Sequence, residues 1–84
     1  MDYPIKTPQQ LAQVLKGIRK DRRLTQATVA ARMNSLQGKI SLLELHPEKA
    51  SVSRLLRMLS VLGVDLILRD RDAARARQRT KSQW

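Results

Sequence analysis

The chain has no cysteine and no phenylalanine, and its only aromatic residues are Tyr3 and Trp84. The absence of cysteine excludes a disulfide framework, a thiolate zinc site, an iron–sulfur cluster and a cysteine nucleophile. Because a single histidine, His46, cannot form a metal cluster either, the sequence predicts no metal and no cofactor. The scarcity of aromatic residues also disfavours the single-strand nucleic-acid modules that stack bases on aromatic side chains.

Long apolar runs and organised acidic residues are missing as well. No stretch approaches the roughly 18 consecutive apolar residues of a membrane span, and residues 1–4 lack the basic and apolar regions of a signal peptide. The carboxylates are scattered, and there is no glycine-rich phosphate loop and no nucleophile–base set. We therefore expect a soluble, cytoplasmic protein that is not an enzyme and has no membrane partner.

Positive charge is abundant. The 84 residues include 17 Lys+Arg against 7 Asp+Glu, which gives a net charge of +10. A chain of this length forms one small domain, and such a charge predicts a polyanionic partner. Composition alone gives similar weight to duplex DNA and to RNA.

The first half of the chain predicts three helices. Thr7 as N-cap, Pro8 at the first helical position and Gln10 closing a capping box indicate a helix over 8–22. Thr25 is expected to cap a second helix from Gln26 to Met33. A third helix from Leu36 to about Leu45, capped by Ser35, is predicted to follow a tight turn at Asn34, because asparagine tolerates the left-handed conformation.

A fourth helix is predicted after a loop at 46–50. Ser51 is expected to cap it and Gly63 to end it. Its apolar stripe consists of four leucines, Leu55, Leu56, Leu59 and Leu62.

After Gly63 the apolar period changes from 3.6 to 2, which predicts a short strand over 64–69 with Val64, Leu66 and Leu68 on one face. A lone strand is not stable, so we expect it to pair with the same strand of a twofold partner. Residues 70–84 are basic and lack large apolar residues before Trp84, which is typical of a disordered tail. The predicted organisation is an arm (1–6), a helical domain (7–63), a dimerisation strand (64–69) and a tail (70–84).

The second and third helices have the pattern of a helix-turn-helix unit, whose second helix enters the major groove of DNA. Ala30 is the small residue at the helix crossing, Asn34 holds the turn, and Ile40 and Leu43 anchor the second helix in the core. A generic four-helix bundle without a ligand is the alternative interpretation.

One face of the third helix carries candidate DNA-reading residues. Gln37 and Ser41 project from it, and a glutamine can bond bidentately to the N6/N7 edge of adenine. Gly38 lets the backbone approach base edges, and Lys39 is expected to reach a phosphate or a guanine. Leu36 is expected to touch a thymine methyl group. The alternative is an ordinary solvated helix face.

From Thr7 to Gly63 the sequence resembles the lambda-repressor-like, Xre-type helix-turn-helix family. The resemblance is carried by Leu24-Thr25-Gln26 before Val29-Ala30, and by Ile40-Ser41 before Leu43-Glu44. Within that family the chain resembles the HipB-type antitoxins from Thr7 to Asp70. Further positions that match their pattern are Pro8, Gln10-Leu11-Ala12, residues 64–69 and Trp84.

The resemblance implies an all-α fold of four or five helices with a C-terminal strand paired across a homodimer. It also implies that Gln26 and Thr25 hold a DNA phosphate, and that Arg19 and Glu44 form a structural ion pair between the first and third helices. Lys49 is a generic phosphate candidate. The chain departs from the family pattern at the turn, where Asn34 replaces glycine, and at three leucines where polar residues are usual, Leu36, Leu42 and Leu45.

By the same resemblance, the expected function is a repressor that binds palindromic operator DNA, is nucleoid-associated when bound, and is the antitoxin of a HipA-like serine/threonine kinase toxin. Trp84 is the candidate for toxin docking. Two alternatives stay open. One is a phage-type or restriction-controller repressor without a toxin, and the other is a basic RNA-binding or ribosome-associated protein.

Overall fold

The computed structural model describes residues 2–72, and these residues form an all-helical domain. The helices are α1 (Pro8–Asp21), α2 (Gln26–Arg32), α3 (Gln37–Leu45), a short 3-10 helix (Pro47–Lys49) and α4 (Val52–Leu62). The four predicted α-helices are therefore confirmed, and their ends differ from the predicted ones by at most one residue. The predicted loop after α3 is wrong in detail, because Pro47 begins a helical turn instead of irregular backbone.

The start of α1 follows the predicted capping chemistry with one change. The Thr7 hydroxyl accepts a hydrogen bond from the backbone N–H of Gln10 at 3.1 Å, and Pro8 occupies the first helical turn. The Gln10 side chain accepts from the backbone N–H of Lys6 at 2.7 Å. The reciprocal half of the capping box therefore reaches one residue further back than predicted, and it ties the N-terminal arm to α1.

Three helices end in a residue with left-handed backbone. These residues are Arg23 (φ 56°), Asn34 (φ 53°) and Gly63 (φ 74°). In each case the next N–H bonds back to a carbonyl five residues earlier, as in a Schellman motif. The predicted roles of Asn34 and Gly63 are confirmed. The sequence does not predict the left-handed backbone of Arg23, because arginine is not a residue type that favours this conformation.

The prediction that Ser35 caps α3 is wrong. The Ser35 N–H bonds to the carbonyl of Ala30 at 2.8 Å and so completes the end of α2. This places Leu36 at the N-cap position, where it provides no side-chain hydrogen bond. The connection between α2 and α3 thus spans residues 33–36, two residues more than the predicted 34–35.

The core lies where the four α-helices meet. Its buried residues are Leu15, Ile18, Val29, Ala30, Met33, Ile40, Leu43, Met58, Leu59 and Leu62. The predicted stripe of α4 is wrong at one position, since Leu56 is 44% exposed and Met58 is fully buried. Both residues lie beside the leucine stripe, and the positions of the neighbouring helices decide which side of it is covered.

Residues 64–69 have no regular secondary structure in the described chain. Val64 packs partly against the core, whereas Leu66, Ile67 and Leu68 are exposed. Arg69 forms an exposed ion pair with Asp2 at 2.9 Å, which joins this segment to the N-terminal arm. The predicted cross-dimer strand stays a prediction, because its partner would be a second chain. Trp84 and the tail from 73 onward lie outside the described residues.

Candidate nucleic-acid interface

The helix-turn-helix geometry is formed by α2, the turn through Asn34, and α3. Ala30 is 3% exposed, and its small side chain allows the two helices to approach each other. Ile40 and Leu43 are buried at 0% and 1% exposure, so they anchor one side of α3 in the core. The other side of α3 is consequently turned away from the protein.

The residues predicted to read DNA lie on this outward part of α3. Gln37, Gly38 and Lys39 are exposed, and Ser41 is half-buried beside them. No atom outside its own helix turn lies within 4 Å of the Cβ that an alanine would add at Gly38. All four positions are therefore accessible. Gln37 and Ser41 lie one helical turn apart on the same side of α3, whereas Lys39, two residues after Gln37, projects from a different side. Gly38 borders open space.

Three leucines extend this surface with apolar area. Leu36 is 70% exposed at the N-cap of α3, while Leu42 and Leu45 are 46% and 65% exposed within the helix. Large side chains at such exposure contribute little to the core. The outward surface of α3 is thus a mixture of amide, hydroxyl, cationic and aliphatic groups.

Thr25 and Gln26, the predicted phosphate contacts, are both engaged by other groups at the start of α2. The Thr25 hydroxyl accepts from the backbone N–H of Thr28 at 3.0 Å and lies 2.9 Å from the Thr28 hydroxyl. The Gln26 side chain is half-buried, and its Nε2 donates to Oε1 of Glu44 at 3.2 Å. The structure thus fixes the orientation of the Gln26 amide through a residue of α3.

Glu44 belongs to a buried charged network that joins three helices. Arg19 Nε and Glu44 Oε2 are 2.5 Å apart, and Arg19 Nη2 donates to Glu44 Oε1 at 3.1 Å. A third hydrogen bond runs from Arg19 Nη1 to the carbonyl of Leu24 at 2.9 Å. Because the two side chains are only 10% and 2% exposed, this bidentate pair is shielded from solvent. It links α1 to α3, as the family resemblance implies for these two residues.

A further contact holds the turn of the unit. The Arg57 guanidinium of α4 donates to the backbone carbonyl of Met33, next to the left-handed residue Asn34. A cation at the carboxyl end of a helix is favourable both as a hydrogen-bond donor and toward the helix dipole. Nothing in the sequence pattern marks Arg57 for this role, since it lies off the apolar stripe of α4.

The last predicted phosphate contact, Lys49, and the single histidine lie just after α3. Lys49 is exposed at the end of the 3-10 helix, and His46 Nδ1 lies 3.4 Å from Glu48 Oε2 at the exposed surface before it. Among residues 2–72 there is no group of three potential metal ligands. Within the same range, no helix is long and apolar enough to cross a membrane.

This fold and this surface define the class of the protein as a helix-turn-helix domain. In solved structures it is similar to HipB. A HipB variant in complex with an O2 20mer matches 86% of this chain and 100% of its own, at 28% identity and a TM-score of 0.79. The match to a HipB-O1-O2 complex covers 80% of this chain and 97% of the HipB chain, at 28% identity and a TM-score of 0.75. The match to a HipA-HipB-O2-O3 complex covers 82% of this chain and 97% of the matched chain, at 28% identity and a TM-score of 0.76.

No protein-family model matches the chain, and no curated protein sequence matches it. The similarity is therefore seen in the three-dimensional fold together with an identity of 28% over most of both chains. This structural similarity confirms the resemblance to HipB-type helix-turn-helix antitoxins that was drawn from the sequence motifs.

Proposed function

We propose that this protein is a sequence-specific DNA-binding repressor that inserts the outward surface of α3 into the major groove of its operator. The observation that carries the proposal is the exposure of Gln37, Gly38 and Lys39 on a helix whose other side is anchored in the core. The net charge of +10 supplies attraction to the phosphate backbone. The similar HipB structures include complexes with DNA, which supports the same use of the fold here.

Each polar group of the surface has a chemical role in this proposal. Gln37 reads an adenine through its N6/N7 edge, and the Ser41 hydroxyl bonds to a neighbouring base. Gly38 lets the helix approach the base pairs, and Leu36 touches a thymine methyl group. Lys39, Lys49, Thr25 and Gln26 contact the phosphate backbone, which positions the domain without reading sequence.

The contact between Gln26 and Glu44 fits this role of Gln26. A glutamine amide has two N–H donors and one acceptor oxygen. One donor is directed to Glu44 at 3.2 Å, so the second N–H is left for a phosphate oxygen in an orientation that the buried network determines. Glu44 would then position Gln26 for DNA without touching DNA itself.

The repressor acts as a homodimer in this proposal. Residues 64–69 form a strand that pairs with its twofold copy, with Val64, Leu66 and Leu68 on the shared face. The exposure of Leu66, Ile67 and Leu68 in the single chain supports the proposal, because pairing would cover apolar area that is otherwise in water. Two domains related by a twofold axis would read a palindromic operator.

We also propose that the protein is the antitoxin of a HipA-like kinase toxin and represses the operon that encodes both. One of the similar structures is a HipA-HipB-O2-O3 complex, which is the support for such a partner. Trp84 is the proposed toxin-docking residue, and it lies outside the described residues. Co-purification of a kinase encoded by an adjacent gene would test this part separately. Its absence would favour a repressor without a toxin.

The experiment that tests DNA reading compares three nucleic acids. Binding is measured to the duplex of the protein's own promoter region, to a scrambled duplex and to an RNA of equal length, over about 50 to 300 mM salt. We expect a preference of about 10³-fold or more for the promoter duplex that persists at high salt. Equal binding to all three that falls steeply with salt would show that charge alone drives binding, and would overturn the proposal.

The Gln37→Ala variant tests the assignment of the base reader. Loss of a bidentate contact should cost about 1–3 kcal/mol of discrimination at one base position and leave non-specific binding intact. The measurement is a comparison of affinities for operators carrying each of the four base pairs at every half-site position. An unchanged preference at all positions would remove Gln37 from the readout. A Gln9→Ala variant, which changes an exposed glutamine of α1, is the matched control.

A further inference from the structure

The third helix is apolar on both of its sides, which is unusual for a helix at the surface of a small domain. Ile40 and Leu43 face the core. Gly38, Leu42 and Leu45 follow the i, i+4, i+7 spacing of a single helix face on the opposite side. Leu42 and Leu45 are 46% and 65% exposed. We call Leu36, Leu42 and Leu45 the outer leucines.

The outer leucines have no structural reason to be aliphatic. Because these side chains are exposed, polar residues at the same positions would leave the core unchanged. Contiguous exposed apolar area on a small soluble domain marks an interaction surface. Gln37 and Gly38, which the proposed function assigns to the DNA, follow Leu36 directly in the chain, and Gly38 lies one helical turn before Leu42 on the same face. The exposed leucines therefore neighbour the proposed reading residues.

Charge identifies the class of partner that would cover this patch. Lys39 lies exposed on α3 and Lys49 is exposed shortly after it, in a chain with a net charge of +10. Such a setting favours a polyanion over an apolar protein surface. In the major groove of duplex DNA, the apolar group displayed on base edges is the C5-methyl group of thymine.

We propose that the outer leucines read thymine methyl groups, so that the half-site recognised by this protein consists largely of A·T pairs. The inference rests on the proposed function. It agrees with the chemistry of Gln37, because an adenine bonded by its amide presents the methyl group of its thymine partner in the same groove. Gly38 has no side chain that would hold Leu42 and Leu45 away from the bases. Leu42 and Leu45 thereby become specificity-determining residues.

The test removes single methyl groups from DNA. Duplexes that the purified full-length protein enriches from a random-sequence library are resynthesised with each thymine replaced in turn by uracil, which keeps all hydrogen-bonding groups. Burial of one methyl group is worth about a fourfold change in affinity. We therefore expect uracil to weaken binding about fourfold at two or more half-site positions. In the Leu42→Ala and Leu45→Ala proteins the penalty should disappear at the positions that the missing side chain contacts.

A Val52→Ala variant is the matched control, because Val52 is an aliphatic residue of α4 with 67% exposure. It should keep the uracil profile of the unchanged protein. Circular dichroism of each variant checks that the fold is retained, which is expected since both leucines are partly in water.

Two results would overturn the inference. If sequences are enriched but no uracil penalty depends on Leu42 or Leu45, the patch does not read methyl groups, while the proposed DNA reading stands. A change of oligomeric state in these variants with an unaltered uracil profile would identify the patch as a protein interface and would overturn the inference in the same way. If the library yields no enriched sequence, the proposed function fails together with the inference.

Discussion

Removing either member of the Arg19–Glu44 pair should destabilise the domain far more than removing both. In Arg19→Met the carboxylate of Glu44, whose side chain is 2% exposed, loses two donors and keeps the Gln26 amide at 3.2 Å. In Glu44→Leu the guanidinium of Arg19 is 10% exposed and keeps the Leu24 carbonyl at 2.9 Å. Both variants therefore leave a buried charge with one neutral partner.

The expected magnitude follows from the cost of an uncompensated buried charge. Each single substitution should lower the free energy of unfolding by about 3–5 kcal/mol. Arg19→Met should be at the upper end, because Glu44 is the more deeply buried partner. The double variant contains two apolar side chains of similar length and no charge, so its stability should lie within about 1–2 kcal/mol of the original protein.

Urea unfolding followed by far-UV circular dichroism measures these differences. All four proteins are compared at one protein concentration, because association with a second chain would make stability depend on concentration. A large favourable coupling free energy in the double-mutant cycle is expected. Single-variant losses below about 1 kcal/mol, or additive losses in the double variant, would refute the view that the pair is a buried and shielded one.

Three further predictions concern the surface and the chain ends. Gly38→Ala should raise the free energy of unfolding by up to about 1 kcal/mol, because alanine favours a helix over glycine and the added Cβ meets no atom outside its own stretch of helix within 4 Å. The same variant should weaken operator binding. Higher stability with unchanged affinity would contradict the close approach of α3 to DNA. Leu66→Lys should yield a monomer with reduced operator affinity in light-scattering and binding assays, and a stable dimer would disprove pairing through 64–69. The hydrogen bond from Arg69 holds the pKa of Asp2 below its ordinary value. The contact therefore stabilises the folded chain at pH values above the ordinary pKa, and this stabilisation is lost as the pH falls through the lowered pKa. An NMR titration should show a lowered pKa for Asp2 that returns to its ordinary value in Arg69→Gln.

Much of the local structure could be predicted because its hydrogen bonds join residues close in the chain. The hydroxyls of Thr7, Thr25 and Ser51 accept from backbone N–H groups three residues later, at 3.1, 3.0 and 3.1 Å. Both partners of each contact therefore stand in one short stretch of sequence. The left-handed turns at Asn34 and Gly63 were predictable for the same reason, since residue type and local position are sufficient.

The candidate site was predicted less completely. The pattern of α3 places Gln37 and Lys39 at the surface, and both are exposed. It did not show that Ser41 is half-buried or how far Leu42 and Leu45 are exposed. How far each side of a helix is exposed depends on the crossing positions of its neighbours, which a periodicity of 3.6 residues does not contain.

The sequence by itself determined the four α-helices, the helix-turn-helix unit and the positive charge that favours a polyanion, because these follow from caps, periodicity and composition. Apart from the Arg19–Glu44 pair, which the family resemblance implies, only the tertiary structure decided the contacts between distant segments. Gln26 meets Glu44 across 18 residues, and Arg57 meets the Met33 carbonyl across 24. It also selected Met58 over Leu56 for the core. Such contacts depend on how packed helices cross, so each becomes defined only when the whole core has assembled.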